Sequence, residues 1–428
     1  MKTRLIASAL VGCVLLAAAG CGSNEPESSS DRNASGDLTV WLQVDAETLW
    51  PTAVSGATAE FNKQYPNVKV TVAYQAWADH LGKFDAAAQA NSVPDVIELG
   101  TTEMGLYMGA GAFVDLTADK ASFDNADTWV TALTDSATSD GKLFGVPYYG
   151  GNRAVVYRKD LLAEVGVTSP PTTWAALMDS VNKLATKYKD DPTFSAFFIP
   201  GQHQYGAMPF VYDAGGQVAK KGADGKWDAT FSSAQSVAGL KNWKALMDAG
   251  YRGDRTINDL TAFSTMVAGK AAMFYDTSGQ MKKVFGTQGD PALKDKIGSF
   301  RLPSPTKSGD FVPAFMGGSD LAIPAKSNHK DWAKAWIRAY TSAANQQSFV
   351  DGGFMANTTK ITTSDPQMKG FVDTLQGTWT LPAAKNWAQV EKDKTVLTMF
   401  VDIATGKASI EEATATADKA IEAVLNGA

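Results

Sequence analysis

The chain has 428 residues, 44% of them apolar, too many for one hydrophobic core, so two or three domains are expected and two lobes is the simplest count. Acidic residues outnumber Lys and Arg, the net charge is −6, and no basic cluster occurs, which excludes nucleic acid as a partner class. The cysteine count of two, Cys13 and Cys21, excludes a cysteine-based metal centre.

Lys2 and Arg4 open the chain, and residues 5–19 form an apolar run too brief for a permanent membrane span. This pattern predicts a signal peptide over 1–20. The run ends in small residues before a cysteine, Ala17-Ala18-Ala19-Gly20-Cys21, and resembles the lipobox of bacterial lipoproteins. That resemblance implies that Cys21 becomes the first mature residue, carries the lipid and holds the protein at the outer face of the cell membrane. Cleavage would remove Cys13 with the leader and take the net charge to −8, leaving no internal disulfide. Residues 22–36 are poor in apolar side chains and predict a flexible tether about 20 Å from end to end. No later stretch is apolar for 18 residues.

From Asp37 the periodicity alternates. Strands are expected at 38–42, 68–74 and 94–99, with helices at 50–65 and 79–91 between them. This order predicts a mostly parallel sheet covered by helices, with ligands at the carboxyl ends of its strands. A second unit follows: a strand at 154–157, a helix at 174–189 capped by Thr172 or Thr173, and a strand at 194–199. Helices at 233–249 and 262–268 and a strand at 271–275 come next, then a loop at 303–309. A strand at 321–323 and helices at 330–343, 390–405 and 410–425 close the chain, and no short-period repeat occurs.

Six phrases carry a family resemblance: LTVWLQVDAETLWP (38–51), YQAWADHLGKFDAAAQANSVPDVIELG (74–100), GVPYYGGNRAVVYRKDLL (145–162), AFFIPGQHQYGAMPFVYDAGG (196–216), FMGGSDLAIPAKSNHKDWAKAWI (315–337) and GGFMANTTK (352–360). Together they resemble the extracellular solute-binding proteins of ABC sugar importers, over nearly all of residues 37–428. Within that family the phrases are most similar to actinobacterial binding proteins for N,N'-diacetylchitobiose and related oligosaccharides. The resemblance implies an α/β fold of the type II periplasmic-binding-protein kind, two hinge-connected and discontinuous lobes. The lobes are expected at 37–147 plus 310–355 and at 148–309 plus 356–428. It also implies a mono- or oligosaccharide ligand, permease subunits as partners, action as a monomer, and neither cofactor nor catalysis.

A pyranose has an apolar face and a hydroxyl-crowded edge, so its binder needs aromatic plates and fixed polar groups. Trp41 and Asp45 follow the first strand, Trp77 the second and Glu103 the third, and all are expected near one rim. Tyr149 and Asn152 lie at the expected crossing between lobes; Tyr148 and Tyr149 should point to opposite sides of an extended chain, with Tyr149 in the cleft. The other candidates are Tyr205, Tyr275, Asp276, Gly318, Ser319, Asp320 and Trp387. Trp174, Trp243, Trp332 and Trp336 fall in helical patterns and are expected in the core or as covers of the sheet.

The main rival is a secreted glycan-active hydrolase, which needs two carboxylates about 5 to 10 Å apart. No local signature supports it. Three S-x-x-K matches, at Ser180, Ser304 and Ser327, lack the S-D-N partner motif, and the three histidines, His80, His203 and His329, are scattered without an H-E-x-x-H. No G-x-x-x-x-G-K-[ST] loop is present, so an ATPase must be a separate protein.

Overall fold

The computed structural model describes residues 33–427, apart from 375, 376, 380, 383 and 385. The expected leader, Cys21 and most of the tether lie outside the described residues. The strands that matter here are β1 (Ser35–Gln43), β2 (Asn67–Gln75), β3 (Val96–Gly100), β4 (Gly145–Gly151), β5 (Arg153–Arg158), β6 (Met273–Thr277), β7 (Ile297–Phe300), β8 (Gly317–Ala322) and β9 (Met355–Ala356).

The first lobe is built on a six-stranded sheet in the order β9-β4-β8-β3-β1-β2. In β1, Leu38, Val40 and Leu42 are fully buried on one face, the period of two that a covered strand requires. The pairs β1 with β2 and β1 with β3 are parallel, as the alternating order predicts, but β8, β4 and β9 join antiparallel. These three strands belong to chain that is leaving for the other lobe or returning from it, so no crossover helix constrains their direction. Helices Pro51–Gln64 and Lys330–Tyr340 pack on this sheet, with Trp50 and Trp336 among its largest fully buried side chains. The Trp50 indole donates to Tyr340 Oη at 3.0 Å, which satisfies its polar edge inside the core.

The second lobe has its own core around a three-stranded antiparallel sheet, β6-β5-β7. Residues 194–199 extend this sheet only by parallel bridges from Ser195 to Ala271 and Phe198 to Phe274, rather than as a full strand. Thr173 caps helix Trp174–Lys187, its side chain accepting from the Ala176 N–H. The expected helix 390–405 is broken: Lys394 takes a left-handed φ of 56°, and the chain divides into Trp387–Lys392 and Thr395–Thr405.

The chain crosses between cores three times. β4 runs through Asn152 straight into β5, and the segment Ala314–Phe315 leads back into β8. Gly317 pairs with Gly151, so the two crossings lie side by side as a hinge. The last crossing follows Thr358, which bridges Trp129 in the first lobe, and precedes Met368 in the second core. The expected boundaries at 147/148, 309/310 and 355/356 each lie earlier in the chain than these points. Tyr148 and Tyr149 complete the first sheet, whereas Val312 and Phe315 pack in the second core.

Tyr148 and Tyr149 do not point to opposite sides. A register shift opposite Ser319 and Asp320 leaves Tyr148 unpaired, and the two rings meet edge to face with centroids 4.6 Å apart. A bulge removes the strict alternation on which the expectation rested.

Candidate ligand cleft between the lobes

A cavity of about 450 Å3 opens between the lobes, within the ~300–1,000 Å3 range of small-ligand pockets. Its first-lobe wall is built from the carboxyl ends of the parallel strands: Val44 and Asp45 after β1, Trp77 after β2, and Gly100, Thr101, Thr102 and Glu103 at the end of β3. Tyr149, Gly151, Gly317 and Gly318 line it from the hinge strands, and Phe354 from the approach to β9. Gly318 has a φ of 156°, and a Cβ there would meet the Tyr149 carbonyl at 2.3 Å, so the tight hinge floor needs glycine. The opposite wall carries Arg153, Gln204, Tyr205, Asp259, Leu260, Asp276, Gln280, Lys283, Phe315 and Glu391.

Apolar exposure concentrates here. Among the described residues the large hydrophobic side chains left exposed are Val44, Trp77, Leu260 and Val372, and the first three line this cavity. Trp77 is 38% exposed, held by its indole donating to Asp45 Oδ2 at 2.9 Å and by an edge contact to His80. A wider depression of about 780 Å3 lies on the outer face of the first lobe, between helices Pro51–Gln64 and Lys330–Tyr340. It is a groove between packed helices, and its Glu60 and Lys63 already pair with each other at 2.6 Å.

Charge in the cleft is largely matched. Asp45 reaches across to Lys283 at 3.3 Å. Glu103 Oε2 takes hydrogen bonds from the Gly100 N–H at 2.7 Å and from His80 Nε2 at 2.9 Å. His80 Nδ1 faces the Trp77 carbonyl at 2.9 Å, so both ring nitrogens meet acceptors, an arrangement that favours the protonated imidazole. Burial works against that charge, but Glu103 outweighs it and raises the His80 pKa. His203 repeats the arrangement in the second lobe, with Nδ1 2.9 Å from Asp259 Oδ2 and Nε2 2.7 Å from the Tyr275 carbonyl. Its pKa is raised by Asp259 against the effect of burial, and Asp259 is held below the usual carboxylate range by His203.

Asp276 stands 3.8 Å from Arg153 Nε, and burial together with the charge of Asp259 raises its pKa. Asp276 Oδ2, Gln280 Oε1 and Arg153 Nε are buried, make no hydrogen bond to protein, and belong to residues lining the cavity. Glu391 accepts from Tyr205 Oη and Thr102 Oγ1, each at 3.0 Å, the second bond spanning the lobes. Burial and the charge of Glu103 push its carboxyl up to about 7. Beneath the floor, buried Glu98 accepts from Tyr149 Oη at 3.3 Å and from the Gln43 N–H at 2.9 Å; burial raises it to about 7.

The structure therefore brings Asp45, Trp77, Glu103, Tyr149, Tyr205, Asp276 and Gly318 to one cavity and leaves six expected residues outside it. Trp41 pairs opposite Ala73 and Ile97, and β1 runs on to Gln43, so it packs on the sheet instead of ending it. Asn152 is buried in the hinge, its amide donating to the Phe371 carbonyl at 2.7 Å and to Thr374 Oγ1 at 2.6 Å. Tyr275 and Trp387 are 2% exposed and belong to the second core. Ser319 lies behind the floor, donating to Tyr149 Oη at 3.2 Å. Asp320 is fully buried against Ser136, and burial lifts its carboxyl to about 8. Tyr205 is no open plate either, because Phe315 stacks on it at 4.5 Å.

Sequence reasoning missed Arg153, Gln204, Asp259, Leu260, Gln280, Lys283, Phe315, Phe354 and Glu391. Arg153 and Phe315 flank the crossings, a signal that the glycines beside them carried. Glu391 sits inside a helical pattern and gave none. Among the described residues no group of three His, Cys, Asp or Glu is arranged to hold a metal ion, and no helix is long and apolar enough to cross a membrane.

Comparison with known proteins agrees with this architecture. Residues 48–347 match the family described as bacterial extracellular solute-binding protein. The diacetylchitobiose-binding protein DasA of Streptomyces coelicolor is 26% identical over 344 residues, 79% of this chain and 78% of that protein. Among solved structures, a solute-binding protein of Thermotoga lettingae bound with α-D-tagatose superposes with a TM-score of 0.78 at 20% identity, over 91% of this chain and 100% of the other. The GacH receptor of Streptomyces glaucescens, solved unliganded and with acarbose, gives 0.77 at 20% identity over 92% and 99%. Both share the two-lobed fold. With the family match spanning well over half its length, the chain belongs to the bacterial extracellular solute-binding proteins.

Proposed function

We propose that this protein is the extracellular receptor of an ABC importer, capturing a short oligosaccharide between its lobes and delivering it to membrane permease subunits. The observation that carries the reading is the cavity lining. Val44, Trp77 and Leu260 offer apolar surface to sugar C–H faces, beside the unpartnered polar atoms of Asp276, Gln280 and Arg153 for hydroxyls. The bonds that span the cleft, Asp45 to Lys283 and Thr102 to Glu391, form only when the walls approach. A ligand that touches both walls adds its contacts to that closed arrangement and shifts the population towards it.

N,N'-diacetylchitobiose or N-acetylglucosamine ranks ahead of cellobiose-like and α-linked disaccharides, a ranking supported by the likeness to the Streptomyces coelicolor protein. The reading includes a cleaved leader over 1–20, a lipid on Cys21, action as a monomer, and no catalysis. Of the thirteen ligand contacts expected from the sequence, Asp45, Trp77, Glu103, Tyr149, Asp276 and Gly318 are kept in this reading, joined by Leu260, Gln280 and Glu391 from the opposite wall. Calorimetric titration of the chain from Gly22 with N,N'-diacetylchitobiose, cellobiose, maltose and trehalose tests this. Saturable binding with the sugar recovered intact is expected. Silence across the panel would refute the sugar assignment, and release of shorter sugars would restore the hydrolase.

A further inference from the structure

Five carboxylates line the cleft: Asp45, Glu103, Asp259, Asp276 and Glu391. Four have a cation of the protein beside them, respectively Lys283, His80, His203 and Arg153. Glu391 does not. Its two oxygens are held by the hydroxyls of Tyr205 and Thr102, which orient the group without neutralising it. The neighbouring Lys392 points instead to Asp85 on the opposite lobe, with which it pairs. Thr102, next to Glu103 in the chain, bonds Glu391 across the cleft, so closure brings the carboxylates of Glu391 and Glu103 to the same cavity from opposite lobes, and the charge of Glu103 acts on Glu391 unfavourably.

The remaining groups facing Glu391 do not relieve this. Tyr205 is held neutral, its hydroxyl pushed well above its usual range by burial and by Glu391 itself. Arg153 lies over the Tyr205 ring, 4.6 Å from its centroid, and is shared with Asp276. The imidazolium of His80 is spent on Glu103 Oε2, whose partner oxygen Oε1 has no hydrogen-bond donor among the described residues. A separate observation points to a ligand in the same cavity: Asp276 is 2% exposed and its Oδ2 makes no hydrogen bond to protein. The cleft thus has acceptors left over and one carboxyl with no cation beside it, where a neutral sugar would supply hydroxyl and amide groups that carry no charge.

We infer that the ligand carries a free ammonium group that lies between Glu391 and Glu103, so that the preferred sugar is a de-N-acetylated amino sugar such as a β-1,4-linked glucosamine disaccharide. An ammonium is compact, brings three donors and no acceptor, and matches two acidic groups approaching from opposite lobes. It also ties ligand recognition to closure, because the cation is bridged only when both walls are in place. This inference rests on the sugar-receptor reading.

The test is a paired calorimetric titration of the same protein at about pH 7, where an arriving ammonium favours the ionised form of the carboxyl it meets and the carboxylate in turn favours the ammonium. The two probes are the glucosamine disaccharide and N,N'-diacetylchitobiose. The free amine is expected to bind at least about tenfold more tightly, the equivalent of about 1.4 kcal/mol. In Glu391→Gln the preference should fall to within about threefold, and Glu103→Gln, which leaves the Tyr205 and Thr102 contacts in place, should reduce it in the same direction. Equal or tighter binding of the acetylated sugar by the unaltered protein would overturn the inference and leave the receptor reading standing. Binding of neither sugar would also overturn the inference, while the receptor reading would fall only if cellobiose, maltose and trehalose were silent as well. A preference that survives in both variants would move the ammonium away from this pair.

Discussion

The two walls of the cleft are built by different rules. On the first lobe Asp45, Trp77 and Glu103 each follow the carboxyl end of a parallel strand, where an open α/β sheet places its ligand groups. The second lobe has an antiparallel sheet, and its wall comes from wherever the chain turns: Arg153 at a strand start, Tyr205 at the start of a helix, Asp259 in a loop, Lys283 within a helix and Glu391 in the last turn of another. A topological rule makes the first wall predictable. The second is fixed by packing alone.

That contrast can be broken first at the cores behind the walls. Trp336 in the first lobe and Trp243 in the second are both fully buried. Truncating either to alanine should cost about 3–5 kcal/mol of stability, read from denaturant midpoints, because a large cavity is left that neighbours only partly fill. A loss under about 1 kcal/mol in one of them would show that this lobe does not depend on close packing, and the symmetry between the cores would fail.

Acidity should stabilise both walls. Burial raises Glu98 and Glu391 to about 7 and Asp320 to about 8, and their partners raise His80 and His203. A raised folded pKa means that the folded state binds protons more tightly, so this stability is complete below the unfolded pKa and is lost as pH rises through the folded one. The unfolding free energy, read from denaturant midpoints, should therefore climb as pH falls from about 8 to about 5, on the order of 3 kcal/mol for a group moved as far as Glu98. Glu98→Gln should flatten the profile. A profile that falls over this range would mean these carboxyls are ionised in the folded protein.

The alternation of strands and helices was legible up to residue 100 because each element carries its own period, and the fully buried helical tryptophans were legible for the same reason. Less so were features that depend on a partner distant in sequence. Tyr148 and Tyr149 share a side only because Ser319 and Asp320 shift register opposite them, about 170 residues later. Asn152 looked like a ligand group at a crossing, yet its amide is claimed by Phe371 and Thr374. Trp41 was misplaced by two residues of strand. A side chain at the end of one strand can be located from local pattern, but its vacancy for a ligand depends on what the rest of the chain brings against it.

Trp77 is the sharpest test of the legible wall. It is 38% exposed with its indole anchored by Asp45, so Trp77→Ala should leave the melting temperature nearly unchanged while weakening sugar binding by about 1 kcal/mol through lost stacking. Leu260, 59% exposed on the other wall, makes the matching comparison. Equal affinity in the Trp77 variant would assign the residue to the fold.

The smallest effect is expected where one wall touches the other. Asp45 was predicted from its place after β1 and Lys283 was not, yet the two pair at 3.3 Å across the cleft with less than a fifth of either side chain exposed. The pair joins the two walls, so Lys283→Met should act on closure and leave each core untouched. Partly exposed ion pairs contribute about 0.2–1 kcal/mol, so sugar affinity should fall by about 1.4- to fivefold, and more at low salt than at high because the charges are screened by ions. Trp77 keeps its own bond to the other oxygen of Asp45, which separates this loss from loss of the aromatic plate. A loss of affinity that persists undiminished in high salt would mean that the Lys283 side chain meets the ligand itself, and the unpredicted wall would then hold a contact as direct as any on the predicted one.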